Sequence, residues 1–160
     1  MQKRSHVETA RSVITDLWSK HDTNVIPEIF AEDASYQDVA FKMEFLGHEG
    51  IKKYFDQVTG KIPDFKMELV ELLEIGEHEG VTTVVTRWFY GGTFSDGKLD
   101  PVVFRLPGYS TVRLRDGKIF ENIDMYSGSA FLQAIGMAGK SVEDYHDDHD
   151  QSAVYQDVIS

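Results

Sequence analysis

Asp124 stands in a setting that invites chemistry. It belongs to RLRDGKIFENIDMYSGSAFLQAIG, from Arg113 to Gly136. Asp116-Gly117 is a two-residue hairpin turn by composition, because both positions tolerate positive φ. Side chains after it alternate, so Phe120, Asn122, Asp124 and Tyr126 share one face and Ile119, Glu121, Ile123 and Met125 the other. An acid among Phe, Asn and Tyr describes a pocket-lining strand; it also describes a half-wetted one. With an unbulged hairpin, Tyr109 lies across from Asp124 and Thr111 across from Asn122, a phenol beside a carboxylate. A single bulge would exchange Tyr109 for Ser110. Tyr36 and Asp38 are two apart, a spacing that puts both on one face of a strand, unless Asp38 ends the strand as a turn residue. Arg87 lies within VTTVVTRWFYGGTF and needs an acceptor, Asp124 or another carboxylate, unless its tip reaches water at a sheet edge. His21, in HDTN, reads as a proton shuttle or as plain turn chemistry.

The elements that must position these residues follow from periodicity. Ser5 and Glu8 have capping-box spacing, and Val7, Ala10, Val13, Ile14, Leu17 and Trp18 form one apolar helical stripe whose last member sits near a cavity mouth. Asp22 or Thr23 caps a short second helix through Ile29 and Phe30. A strand is expected from Ser35 to Asp38, a second short one closing at Gly47, and a helix from His48 to Gly60 with Ile51, Tyr54, Phe55 and Val58 inward. Phe65 to Ile75 and Val81 to Phe94 are long strands joined by GEHEG. The first slips period at Leu69-Val70 and Leu72-Leu73, which signals a bend. On the second, Val85, Arg87 and Phe89 share one face and Val84, Thr86, Trp88 and Tyr90 the other. DPVVFRLP, with two prolines, is expected to be an irregular flap between Lys98 and Pro107. A helix from Gly128 to Ile135 ends at Gly136.

The chain has 160 residues, no cysteine and a formal net charge of −11. That length suits one domain with a real core. Lack of cysteine excludes disulfides, thiolate chemistry and sulfur-based zinc sites. The acidic balance argues against nucleic acid and membrane surfaces as partners. With no apolar run at the N-terminus and none of membrane length, a cytoplasmic protein is expected. The last residues, MAGKSVEDYHDDHDQSAVYQDVIS, differ in composition. His146 and His149 with Asp147, Asp148 and Asp150 have metal-binding types, but the run reads as a solvated acidic linker, and no metal is expected. Val154, Tyr155, Val158 and Ile159 have helical spacing and could dock on the body or on a second subunit.

The order of elements, with FAEDASYQD at Phe30 to Asp38 and DGKIFENIDMYSGSAFLQAIG at Asp116 to Gly136, resembles the SnoaL-like group of the nuclear transport factor two-like superfamily. That group includes polyketide cyclases, ketosteroid isomerase and limonene epoxide hydrolase, and the resemblance covers about residues 6 to 137. It implies an α+β fold: a cone-shaped, curved mixed β-sheet wrapped around a pocket, packed by about three N-terminal and middle helices, with a short C-terminal helix. It divides the chain into one domain over residues 1–137 and an acidic tail over 138–160, and it implies a homodimer. Asp124 stands where the cyclases and the hydrolase keep a catalytic aspartate, and Asp38 where the isomerase keeps its base. Tyr36 and Asp38 fall on the hydrolase's water-holding tyrosine and asparagine, and Arg87 lies near its arginine. The pattern departs at Phe89, where the hydrolase needs an aspartate, and at Ser110, where the cyclases have histidine and the isomerase a protonated acid. The isomerase's oxyanion tyrosine has no counterpart near Ile14.

The expected function is therefore cofactor-independent acid-base catalysis, a cyclisation, isomerisation or dehydration of a small, mostly apolar molecule bearing a carbonyl or hydroxyl. Asp124, Asp38, Tyr36 and Arg87 are the expected catalytic residues. Trp18, His21, Phe89, Tyr109, Phe120, Asn122 and Tyr126 are the expected substrate-binding residues. The alternatives are an epoxide hydrolase with altered machinery and a non-catalytic ligand-binding or dimerisation module.

Overall fold

The computed structural model describes residues 3–98, 100–149 and 154–155. Helix α1 (His6–Ser12) starts on the expected capping box, with the Glu8 N–H donating to Ser5 Oγ at 3.2 Å and the Ser5 N–H to Glu8 Oε2 at 2.7 Å. It widens into a π-helical stretch, Val13–Trp18, in which the Ser19 N–H reaches the Ile14 carbonyl five residues back at 3.0 Å. Asp22 caps the short turn Thr23–Val25, and α2 (Ile26–Ile29) leads into the sheet.

The strands are β1 (Phe30–Asp38), β2 (Met43–Leu46), β3 (Lys66–His78), β4 (Val81–Phe94), β5 (Val102–Arg115), β6 (Lys118–Tyr126) and β7 (Val154–Tyr155). Their spatial order is β3-β4-β5-β6-β1-β2-β7, antiparallel throughout except where β1 runs parallel to β6. Helix α3 (Gly47–Lys61) lies across β1 with Ile51, Tyr54 and Phe55 buried, while α4 (Gly128–Ala134) and α5 (Val142–His149) follow the last long strand. The outcome is the expected curved, mixed α+β cone. Two tight turns with positive φ drive its long hairpins, Glu79-Gly80 (51° and 79°) and Asp116-Gly117 (53° and 78°). Among the described residues no helix is long and apolar enough to cross a membrane.

Among the described residues four irregularities interrupt the sheet, one of them in β1 against β6 between Phe30 and Ser35. In β3 the register shifts between Leu69 and Glu71, where the sequence period slips, and again between Glu74 and Gly76. In β6 the shift falls at Phe120, because Arg113 faces Glu121 while Leu114 faces Ile119. That extra residue re-phases the hairpin: Ser110, not Tyr109, lies across from Asp124, and Val112, not Thr111, across from Asn122.

The flap expected between Lys98 and Pro107 does not exist as such. β5 already runs from Val102 and pairs with β4 from Phe94 onward. Pro107 is tolerated because the pairing of β5 with β6 begins one residue later, at Gly108, so only β4 flanks the strand there. Strand β1 likewise starts earlier than Ser35. Part of the acidic run expected to be solvated forms α5, which is held because Tyr145 is buried against Phe41 at 4.9 Å between ring centres and Val142 packs on the core. Val154 and Tyr155, read as helical in spacing, pair instead with Glu44 and Met43; Val158 and Ile159 lie outside the described residues.

Gly108 is the close approach on which the interior depends. A Cβ there would sit 2.2 Å from Cζ3 and 2.3 Å from Cη2 of Trp88, a fully buried ring. Gly108→Ala is expected to destabilise the fold by about 1–3 kcal/mol, read as a lower midpoint in denaturant unfolding together with a shifted tryptophan emission.

Candidate active site

Asp38 and Asp124 are paired residues on the parallel neighbours β1 and β6. Adjacent strands stand about 4.8 Å apart, so two carboxylates project side by side from the concave face. Both are buried, with relative exposures of 1% and 5%. They share a largely apolar cavity of about 80 Å3, walled by Trp18, Phe65, Trp88, Tyr90, Tyr126 and Phe131 among others.

Each acid is met by donors. Asp124 Oδ1 accepts from Ser110 Oγ at 2.6 Å and from Asn122 Nδ2 at 2.9 Å, and Oδ2 accepts from the Tyr36 hydroxyl at 2.6 Å. The two hydroxyls are themselves fixed from behind: Trp18 Nε1 donates to Tyr36 at 2.9 Å, and Trp88 Nε1 donates to Ser110 at 2.9 Å. An indole N–H can only donate, so it occupies a lone pair of each hydroxyl and leaves the hydroxyl proton for the carboxylate. Asp38 Oδ2 accepts from Tyr54 at 2.6 Å and Tyr126 at 2.7 Å, and Oδ1 accepts from the Phe41 N–H at 3.0 Å.

Burial dominates the electrostatics. Loss of water raises the Asp124 carboxyl from 3.8 to about 6; the Ser110, Tyr36 and Asn122 donors pull it back in part, and the Asp38 charge pushes it up. Burial raises Asp38 as well, against the lowering by Tyr54, Tyr126, the Phe41 N–H and the charge of His146. Desolvation and the adjacent carboxylates push Tyr36, Tyr54 and Tyr126 well above the usual phenol value. Tyr90 moves the same way, and among the described residues its buried hydroxyl has no hydrogen-bond partner.

The structure thus brings together Asp124, Asp38, Tyr36, Trp18, Asn122 and Tyr126. The remaining expected residues lie elsewhere. Arg87 is on the outer face, 3.6 Å from Glu71, because β4 turns Val84, Thr86, Trp88 and Tyr90 inward. Phe89 shares that outer face and carries the Arg105 guanidinium 3.8 Å above its ring. Tyr109 is 48% exposed and pairs with Met125, and Phe120 is carried out of phase by its bulge to lie under Arg113 and Arg115. His21, at φ 57°, donates from Nε2 to the Phe65 carbonyl at 2.7 Å and is not part of the cavity wall. Ser110 is the bulged alternative to Tyr109 and the position where the family pattern departs from histidine or a protonated acid. Tyr54 and Trp88 were read as apolar face members; their signal was a polar tip on an inward stripe.

Among the described residues no three His, Asp or Glu side chains converge as a metal site, and the side chains at 147–150 of the acidic tail lie outside the described residues.

A family model described as SnoaL-like domain matches residues 10–122. No curated protein sequence matches the chain. Among solved structures, a Catenulispora acidiphila protein of ketosteroid isomerase-like fold, in complex with trimethylamine, superposes with a TM-score of 0.68 at 22% identity, covering 83% of this chain and 95% of that one. A candidate polyketide cyclase from Bacillus cereus gives 0.66 at 22% identity over 83% and 81% of the two chains. A candidate SnoaL-like polyketide cyclase from Jannaschia gives 0.68 at 16% identity over 88% and 100%. At such identities these similarities establish the fold.

The raised acid has a signature. The Asp124 carboxyl carbon is expected to titrate with a midpoint of about 6 in carbon NMR, and Tyr36→Phe, which removes a donor to the ionised form, should move it higher. Because the folded-state value exceeds the ordinary one, this group's stabilisation is full below pH 3.8 and lost as pH rises through about 6. The loss is about 3 kcal/mol for the wild type and should be absent from the unfolding profile of Asp124→Asn.

Proposed function

The chain belongs to the SnoaL-like domain family, and from that premise we propose that it is a cofactor-independent acid-base enzyme acting on a small, mostly apolar, carbonyl- or hydroxyl-bearing molecule. The observation that carries this reading is the register of Asp38 with Asp124, two buried carboxylates facing one apolar cavity. Withdrawal from water, with the neighbouring Asp38 charge added at Asp124, favours retention of a proton near neutrality, which provides a base and an acid in one place.

In this mechanism ionised Asp124 removes a proton from a carbon next to the substrate carbonyl. Charge gathers on the carbonyl oxygen, where the Tyr90 hydroxyl is placed to donate. The proton is then returned, from Asp38, from its partner Tyr126 or from Asp124 itself, to another carbon or to a departing oxygen. The outcome is isomerisation, cyclisation or dehydration. The indole-backed hydroxyls keep Asp124 oriented, so its remaining lone pair faces the cavity without reorganisation. Arg87, which an epoxide hydrolase of this family's arrangement would set beside Asp124, lies on the opposite side of the sheet, so the geometry favours the isomerase and cyclase class.

The outer sheet face leaves Leu73, Ile75, Val103, Tyr109 and Met125 exposed. With the family resemblance, this supports a homodimer formed across that face.

Two outcomes test these readings. Solvent deuterium exchange into the methylene beside the carbonyl of 1-indanone, followed by proton NMR, should be accelerated by the protein and fall about 10²- to 10⁴-fold in Asp124→Asn. The rate should rise to a plateau as pH passes about 6, where Asp124 becomes a base. Exchange unaltered by the substitution would leave a ligand-binding module. Sedimentation velocity should give a dimer for the wild type and a monomer for Val103→Asp; a wild-type monomer would dismiss the dimer.

A further inference from the structure

Among the described residues Lys61 is the one cation of the cavity wall, and it has no part in the proton transfers of Asp124 and Asp38. It occupies the last position of α3, one turn beyond Gln57, which also lines the cavity. Its side chain is half-buried and lines the cavity, so it stands where the cavity opens to water. Among the described residues its ammonium makes no hydrogen bond and no ion pair; the charge acting on it is that of Asp96, from beyond ion-pair distance. Desolvation accordingly lowers its affinity for the proton, with Asp96 opposing. An ammonium kept partly dry at an apolar rim, without a partner, is stabilised by an arriving anion. Deeper in the same wall the Tyr90 hydroxyl is buried and, among the described residues, unpartnered, and such groups normally find an acceptor.

We propose that the substrate is an anion: an aryl or similarly flat ketone bearing a carboxylate, with the carboxylate paired to Lys61 at the rim and the ketone oxygen accepting from Tyr90 within. The aromatic wall between the two, Trp18, Phe65 and Tyr126, takes the flat apolar body. The chain as a whole carries a net charge of −11 and repels anions at long range, so selection for a carboxylate must be local, and Lys61 is the residue placed to provide it. This names the substrate class of the acid-base reading and rests on it.

The probes are 3-benzoylpropanoate and its amide, which share a phenyl ketone and differ in charge. By titration calorimetry at low salt the wild type should bind the carboxylate about 5-fold tighter than the amide, the worth of a partly exposed ion pair. Lys61→Met should bring the two affinities together by weakening only the carboxylate, and Lys61→Arg should restore the preference. Equal wild-type affinities, a preference that survives Lys61→Met, or failure of both probes to bind overturns the proposal. Deuterium exchange beside the ketone of the same probes separates this result from the catalytic reading. Exchange that requires Asp124 with no carboxylate preference removes the anchor alone. A Lys61-dependent preference with exchange indifferent to Asp124→Asn removes the catalytic reading alone.

Discussion

Two carboxylates withdrawn from water on neighbouring strands are the constraint around which the interior is built. An isolated buried carboxylate is prohibitively unfavourable, so each must be surrounded by donors. Asp124 draws on β1, β5 and β6 through Tyr36, Ser110 and Asn122, and Asp38 on α3 and β6 through Tyr54 and Tyr126. The parallel junction of β1 with β6 is where these demands meet. Trp18 and Trp88 extend them to the first helix and to β4, so the polar network runs from the first helix to the last long strand.

The cavity divides its labour between a dry aromatic wall and a few placed oxygens. Because the hydroxyls around Asp124 are locked by indole donors, the acid can lose its proton near neutrality without the site rearranging. The outer face of the same sheet works differently. There Arg87, Arg105 and Arg113 pair with Glu71, Glu68 and Glu121 among exposed apolar side chains, at distances and exposures that contribute little to stability. The proposed chemistry and the proposed association therefore fall on opposite faces of one layer.

Much of this could be read from residue order. The capping box, the Asp116-Gly117 turn, the slip at Leu69-Val70 and the alternation that sets Asp124 with Asn122 and Tyr126 are local signals, and they hold. Arg87 and Phe89 were misplaced because both faces of Val81–Phe94 are largely apolar, so the alternation does not say which is inside. Tyr109 and Phe120 were misplaced by one bulge, since side-chain period is two and a single extra residue inverts every assignment beyond it. Tyr54 and Trp88 contribute through long-range contacts, which local periodicity does not report. Pro107 misled because edge status depends on where a neighbouring strand stops.

The π-helical stretch at Val13–Trp18 and the bulge at Phe120 have a common arithmetic: each places one residue more than the regular element would hold, and each sets the phase of a side chain that serves Asp124. Removal of one residue from either would leave the rest of the chain unchanged in composition yet turn Trp18, or Ser110, away from its partner. Lineages of this fold can therefore gain or lose the arrangement by a single-codon insertion or deletion, with no change in any of the acids. It follows that when relatives are compared, a gap at these two points carries more information about shared chemistry than the identity of the aspartates themselves.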